Sequence, residues 1–243
     1  MAPTYLRREP GIDAPTAAAA PCLYYSCIPA SPFEGRVPAQ FSAQGCPPAP
    51  DGGIGQAKAS IRREALARRG ALPPAMRAQA AEAIAARPFP CALPAGAVVS
   101  GFMPLKDEIN PIPLMHKLAD AGAKLALPVV AGRGKPLVMR AFAFGDPMTR
   151  GVWGIREPTA DAPETFPDVM LVPLLAFDRS GHRVGYGAGY YDLTINALRA
   201  RKNVLAVGLA FAVQEIAQAP ATAHDARLDL VLTEHEVVGC VAP

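Results

Sequence analysis

Two runs, residues 169–175 (VMLVPLL) and 204–210 (VLAVGLA), are apolar along their whole length instead of alternating with polar residues. A strand with one face in water shows period-two alternation, so these runs read as strands covered on both faces, the situation of central strands in a parallel sheet. Shorter β-rich runs lie at 97–102, 124–130, 137–142 and 228–233, and helical patterns at 111–121 and 190–201 separate several of them. Strands alternating with helices predict an α/β fold with three layers, a mostly parallel sheet with helices on both faces.

Upstream of the sheet, Lys58, Ile61, Arg62, Ala65, Leu66 and Arg69 recur at three- and four-residue spacing until Gly70 supplies a stop. Pro73 and Pro74 then open a second helix through about Ala86. Residues 1–55 differ in kind. They hold ten of the chain's 27 prolines and no lysine, and show no sustained period of 2 or 3.6. That composition predicts a disordered Ala/Pro-rich extension, leaving 56–243 as a single α/β catalytic domain.

With 51% hydrophobic and 19% charged residues there is material for a sizeable core. The net charge is only +3 and no run of five like charges occurs, so nothing points to nucleic acid as a partner. Apolar runs fall well short of the ~18 residues of a membrane span. Five cysteines without a CxxC pair argue against a disulfide framework or structural zinc. A cytoplasmic enzyme with free thiols, monomeric and without a membrane partner, is expected.

The chemistry concentrates in residues 178–192 (DRSGHRVGYGAGYYD). Asp178 to Gly181 carry a tight-turn signature. Gly185, Gly187 and Gly189 then alternate before Tyr190, Tyr191 and Asp192 enter a helix. Glycines remove the side chains that keep backbone away from a ligand, and amides converging at a helix N-terminus attract phosphate. The Gly-Lys-Ser/Thr of a Walker loop is absent, and position 190 is Tyr where a dinucleotide fingerprint needs Gly. The fold is therefore Rossmann-like without that fingerprint. As a bare GxGxG, the run fits either a phosphate cradle or a flexible turn.

With its flanks, VPLLAFDRSGHRVGYGAGYYD resembles the signature of the 5-formyltetrahydrofolate cyclo-ligase family, also called methenyltetrahydrofolate synthetases. AKASIRREALARR (57–69), GFMPLKDEI (101–109), WGIREP (153–158) and HDARLDLVLTE (224–234) resemble further family landmarks in the same order, so that the likeness spans about 56–236. The resemblance implies ATP- and Mg²⁺-dependent closure of 5-formyltetrahydrofolate to 5,10-methenyltetrahydrofolate, with release of ADP and phosphate through a phosphorylated formyl group, an iminium phosphate. The partners implied are the folate substrate and ATP.

It also implies roles. Lys58 and Arg62, four apart on one helix face, match a nucleotide-binding basic pair, although by spacing alone they suit a solvated cationic face. Arg183, Val184, Gly185, Tyr186, Gly187, Ala188, Gly189, Tyr190 and Tyr191 match the nucleotide loop, with Tyr191 beside the reacting groups. Phe102, Met103, Glu108 and Trp153 match folate contacts, Glu108 as the acidic residue orienting the substrate. Asp192 and Asp229 match magnesium carboxylates. The chain departs from the family at Leu174, where many members have Gly, and at Ala188, where some carry Lys. A ligand sensor and a small-molecule kinase are the rival classes. The set of Glu108, Tyr191 and Asp192 argues against the first, and the missing P-loop lysine against the second.

Overall fold

A computed structural model of the chain describes residues 51–240. The expected extension lies outside the described residues except for 51–55, which belong to helix α1 (Asp51–Gly70). Gly52, Gly53 and Gly55 disfavour helix intrinsically and hid this first turn from the pattern. Helix α2 (Pro74–Ala86) starts at its expected proline and stops at Arg87, whose extended backbone precedes Pro88. Helices α3 (Ile112–Asp120) and α4 (Tyr190–Arg199) fall within the expected helical stretches.

Among the described residues the main sheet has seven strands. In chain order they are β1 (Val98–Ser100), β2 (Lys124–Val129), β3 (Val138–Phe142), β6 (Val169–Pro173), β9 (Leu205–Leu209), β10 (Leu230–Leu232) and β11 (Val237–Gly239). Their spatial order is β11-β10-β9-β6-β1-β2-β3. The five inner strands are parallel, and β3 and β11 close the edges antiparallel. The fully apolar runs are β6 and β9, paired from Val169↔Leu205 to Pro173↔Leu209 at the centre.

Each face of the sheet carries its own core. Val99, Leu125, Leu127, Leu171 and Val207 pack under α2 and α3, whereas Ala126, Met170, Val172, Ala206 and Val231 pack under Ile195 and Leu198 of α4. Successive side chains of β6 thus serve opposite layers, which is why its sequence shows no polar alternation.

Two hairpins were not foreseen: β4 (Met148–Arg150) with β5 (Arg156–Pro158), and β7 (Ala176–Phe177) with β8 (Arg183–Val184). Strands of two or three residues are too short for a period to register. Helix α1 covers neither face of the main sheet. It lays Ile61 and Ala65 against Ala176 and Val184 of the β7–β8 hairpin, together with Ala219.

This topology decides where a ligand goes. From β1 the chain builds outward to β2 and β3, then returns across β1 to place β6, β9 and β10 on its other side. The order reverses between β1 and β6, and ligands of open α/β sheets bind in the crevice beyond the strand C-termini at such a switch point.

Candidate active site

A cavity of about 460 Å³ opens at that edge. Phe102 and Met103 reach it just after β1, Pro128 and Val130 at the end of β2, and Pro173 at the end of β6. The glycine loop forms the opposite wall.

The loop is delivered by the β7–β8 hairpin, whose turn is organised by one carboxylate. Asp178 is 2% exposed. It accepts from Ser180 N at 2.9 Å, Ser180 Oγ at 2.6 Å, His182 N at 3.1 Å and Ala219 N at 2.8 Å. Burial pushes its pKa up, but these donors outweigh burial and hold it below the ordinary aspartate value.

Beyond β8, Gly187 adopts φ +101° and Gly189 φ +70°, the latter as N-cap of α4. Side chains are strained at such angles, and a Cβ on Gly187 would also sit 3.4 Å from the Arg62 guanidinium. Gly187 and Gly189 are therefore required by the loop's own path, whereas Gly185 has neither a positive φ nor a close neighbour. The loop backbone and the N-terminus of α4 line the cavity, a natural seat for phosphate.

Helix α1 supplies the charge. Lys58, Ile61, Arg62, Ala65 and Arg69 form its inward stripe. Lys58 Nζ pairs with Asp225 at 2.6 Å, Arg62 Nε donates to Gly185 O at 2.8 Å, and Arg69 Nη1 donates to the Tyr186 hydroxyl at 2.9 Å. The basic residues are thus a wall of the site, not a solvated face. Arg183 plays another part. It is buried, pairs with Asp192 at 2.7 Å and donates to Ala226 O, and burial pushes its pKa down despite the Asp192 and Asp225 carboxylates. Its guanidinium is engaged in holding the loop, and Arg62 is the cation beside the glycines that Ala188 leaves without charge.

The other half of the cavity is mainly apolar, its charged groups being Glu108 and, on the β4–β5 hairpin, Arg156 and Glu157. Leu105, Val130, Leu137 and Ile155 line it, and Trp153 stands at its rim on the tip of the β4–β5 hairpin, 65% exposed. Its ring centre is 6.0 Å from that of Tyr190. The backbone of Trp153 lies at φ +60°, an uncommon conformation for a bulky residue. Glu108 accepts from Leu105 N at 2.7 Å. Burial raises its pKa, opposed by the Tyr186 hydroxyl, the Leu105 amide and Arg69. Tyr191 is part-buried at the cavity: burial and the Glu108 charge raise its phenol pKa against Arg183, so it stays protonated at neutral pH.

Every residue assigned to the site from sequence lines this cavity except Asp229. Asp229 precedes β10 at the opposite edge of the sheet, where it accepts from Arg199 Nη2 and Ala206 N, both at 2.7 Å. A metal role shared with Asp192 does not fit that position. Asp225, four residues earlier in the same segment, lines the cavity instead. Donors from Lys58 and Thr222 overcome burial to keep its pKa low. One signal was available: a residue just before a parallel strand lies at the edge away from the ligand crevice. Among the described residues no group of three or more His, Cys, Asp or Glu is arranged to hold a metal. Asp192 and Asp225, both acting on Arg183, fit an ion that takes one or two carboxylates and completes its shell with phosphate oxygens and water, as Mg²⁺ does.

Comparisons with known proteins agree with one another. Residues 54–234 match the sequence model of the 5-formyltetrahydrofolate cyclo-ligase family. The 5-formyltetrahydrofolate cyclo-ligase of Mycolicibacterium smegmatis is 34% identical over 193 residues, 73% of this chain and 94% of the relative. That of Escherichia coli K12 is 30% identical over 145 residues, 57% and 79% respectively. The solved 5,10-methenyltetrahydrofolate synthetase of Aquifex aeolicus superposes with a TM-score of 0.61 at 27% identity, covering 75% of this chain and 92% of its own. The synthetase from Mycoplasma pneumoniae shares the fold, with a TM-score of 0.56 at 20% identity, over 73% of this chain and 98% of its own.

Proposed function

The chain belongs to the 5-formyltetrahydrofolate cyclo-ligase family, and from that premise we propose that it converts 5-formyltetrahydrofolate and ATP to 5,10-methenyltetrahydrofolate, ADP and phosphate. The observation that carries this reading is one cavity with two unlike walls, a glycine loop with cations on one side and a mainly apolar pocket with a buried carboxyl on the other.

An N-formyl group is amide-like, so its oxygen is a poor leaving group. The formyl oxygen attacks the γ-phosphorus, ADP departs, and an iminium phosphate forms. N10 then attacks the activated carbon, the C–O bond breaks to release phosphate, and loss of the N10 proton leaves the methenyl bridge. Such chemistry asks a protein mainly for positioning and charge neutralisation. Loop amides, Lys58 and Arg62 receive the phosphates. Asp192 and Asp225 would hold Mg²⁺, which supplies further neutralisation of phosphate charge. Phe102, Met103 and Trp153 take the flat apolar substrate body, and Glu108 accepts hydrogen bonds from the pterin. Tyr191, a neutral phenol between the two walls, donates a hydrogen bond to the reacting oxygen. The cavity is assembled within one chain, which supports a monomeric enzyme. Among the described residues no helix is long and apolar enough to cross a membrane, and a cytoplasmic location is in keeping with that.

The test is the absorbance of the methenyl product after mixing full chain, 5-formyltetrahydrofolate, ATP and Mg²⁺. Product forms only with ATP present; its absence with verified folded protein rejects the reading. Unchanged turnover in Lys58→Ala, Tyr191→Phe and Asp192→Ala rejects the residue roles.

A further inference from the structure

The β4–β5 hairpin at the rim of the cavity sets two arginines against each other. Arg150 and Arg156 are partners across its strands, so their side chains leave one face side by side, and like charges directly opposite destabilise a strand pair. Both are exposed, and neither has a hydrogen bond or an ion pair among the described residues. The neighbouring carboxylate of Glu157 does not neutralise them. It is turned to the tip of the hairpin, in the space that a Cβ on Gly151 would fill. A cation pair held without a counter-charge is a poor way to stabilise a hairpin and a good way to attract an anion.

The position of the pair says which anion. Arg156 lines the cavity beside Ile155 and Trp153. The other cations that line it belong to the glycine-loop wall, Lys58 and Arg62 on α1 and Arg183 on β8. A folate with its pterin at Glu108 carries its ionised groups, the carboxylates of its glutamate, at the far end of the molecule. Left against Leu105, Val130 or Ile155, they would lose water without gaining a partner. At the rim a guanidinium fits a carboxylate with two parallel hydrogen bonds.

We propose that Arg156, with Arg150 beside it, binds the glutamate carboxylates of the folate and makes the enzyme select for the charged tail of its substrate. This rests on the proposed function, since it takes the folate to lie along this wall. The tail is remote from the formyl group, so the contact is equally strong before and during the chemistry. It therefore sets KM and leaves kcat alone.

Steady-state assays of the full chain compare 5-formyltetrahydrofolate with its bis-amide, in which both glutamate carboxyls are carboxamides. The wild type is expected to show a KM at least about fivefold higher for the bis-amide at equal kcat, the strong end of an exposed ion pair. Arg156→Gln is expected to raise KM for the acid by about the same factor and to treat acid and amide alike within about twofold. Arg150→Gln is expected to raise KM for the acid at least about twofold. Both variants keep or raise the melting temperature, because each removes a like-charge opposition. A merely structural arginine would instead lower the melting temperature and leave the acid-to-amide ratio at its wild-type value. A wild type that accepts the bis-amide as readily as the acid, or a ratio that persists in Arg156→Gln, overturns the inference while turnover of the acid leaves the proposed function standing. A folded wild type that makes no methenyl product from the acid overturns the proposed function, and the tail selection with it.

Discussion

Replacing Asp178 with alanine tests how the glycine loop is held in place. The carboxylate receives four hydrogen bonds, three from backbone amides and one from the Ser180 hydroxyl, at 2.6 to 3.1 Å. Hydrogen bonds to charged groups contribute roughly 1.5–3 kcal/mol each but do not add. In Asp178→Ala, water can reach the part-exposed Ser180 donors, whereas the Ala219 amide is buried and stays unpartnered, at about 1–3 kcal/mol by itself. The expected total is roughly 3–5 kcal/mol, a large fraction of a typical domain's stability. Urea unfolding at pH 7 reads it as a lower midpoint at constant slope. Because the folded-state pKa of Asp178 is depressed, its contribution is fully present above the unfolded aspartate value and disappears as pH falls through the folded one. The gap between wild type and variant therefore narrows below about pH 4. A penalty under about 1 kcal/mol at pH 7, or one that does not shrink in acid, refutes this account of the turn.

Other expectations follow from the site. Burial raises the Glu108 pKa, so activity that needs its carboxylate rises with pH along a limb above the ordinary glutamate range; in Glu108→Gln the pH–rate profile of kcat/KM should lose that limb. Gly187→Ala places a side chain at φ +101° beside Arg62, costing about 1–2 kcal/mol of loop strain, seen as a raised KM for ATP in steady-state assays. Lys58→Ala removes a phosphate-side cation and strands Asp225, with a fall in kcat/KM for ATP of about 10²-fold expected in the absorbance assay, near the size of losing one electrostatic donor.

How much of the molecule could be read in advance depended on the range of the forces involved. Burial on both faces is a local property of a strand, so the runs that became β6 and β9 announced the parallel sheet by composition alone. The glycine loop was legible for a similar reason, since the backbone of Gly187 and Gly189 takes angles that strain other residues, and that requirement is written at the position itself. The inward face of α1 was legible only through the family resemblance, not through spacing. Lys58, Arg62 and Arg69 share a stripe with Ile61 and Ala65, and whether such a stripe meets water or a cavity depends on what it packs against, here a hairpin too short to leave a sequence pattern. Asp225 and Asp229 illustrate the same limit. Both are aspartates near one strand, and only the polarity of the assembled sheet sends one to the cavity and the other to the far edge. Arg183 carries the charge of a phosphate ligand, yet its burial against Asp192 and Ala226 commits it to the loop. Local periodicity and backbone angles thus determined the layers and the phosphate cradle, while the tertiary structure decided which charges face it, because long-range electrostatic pairing depends on distances that exist only once the sheet has closed.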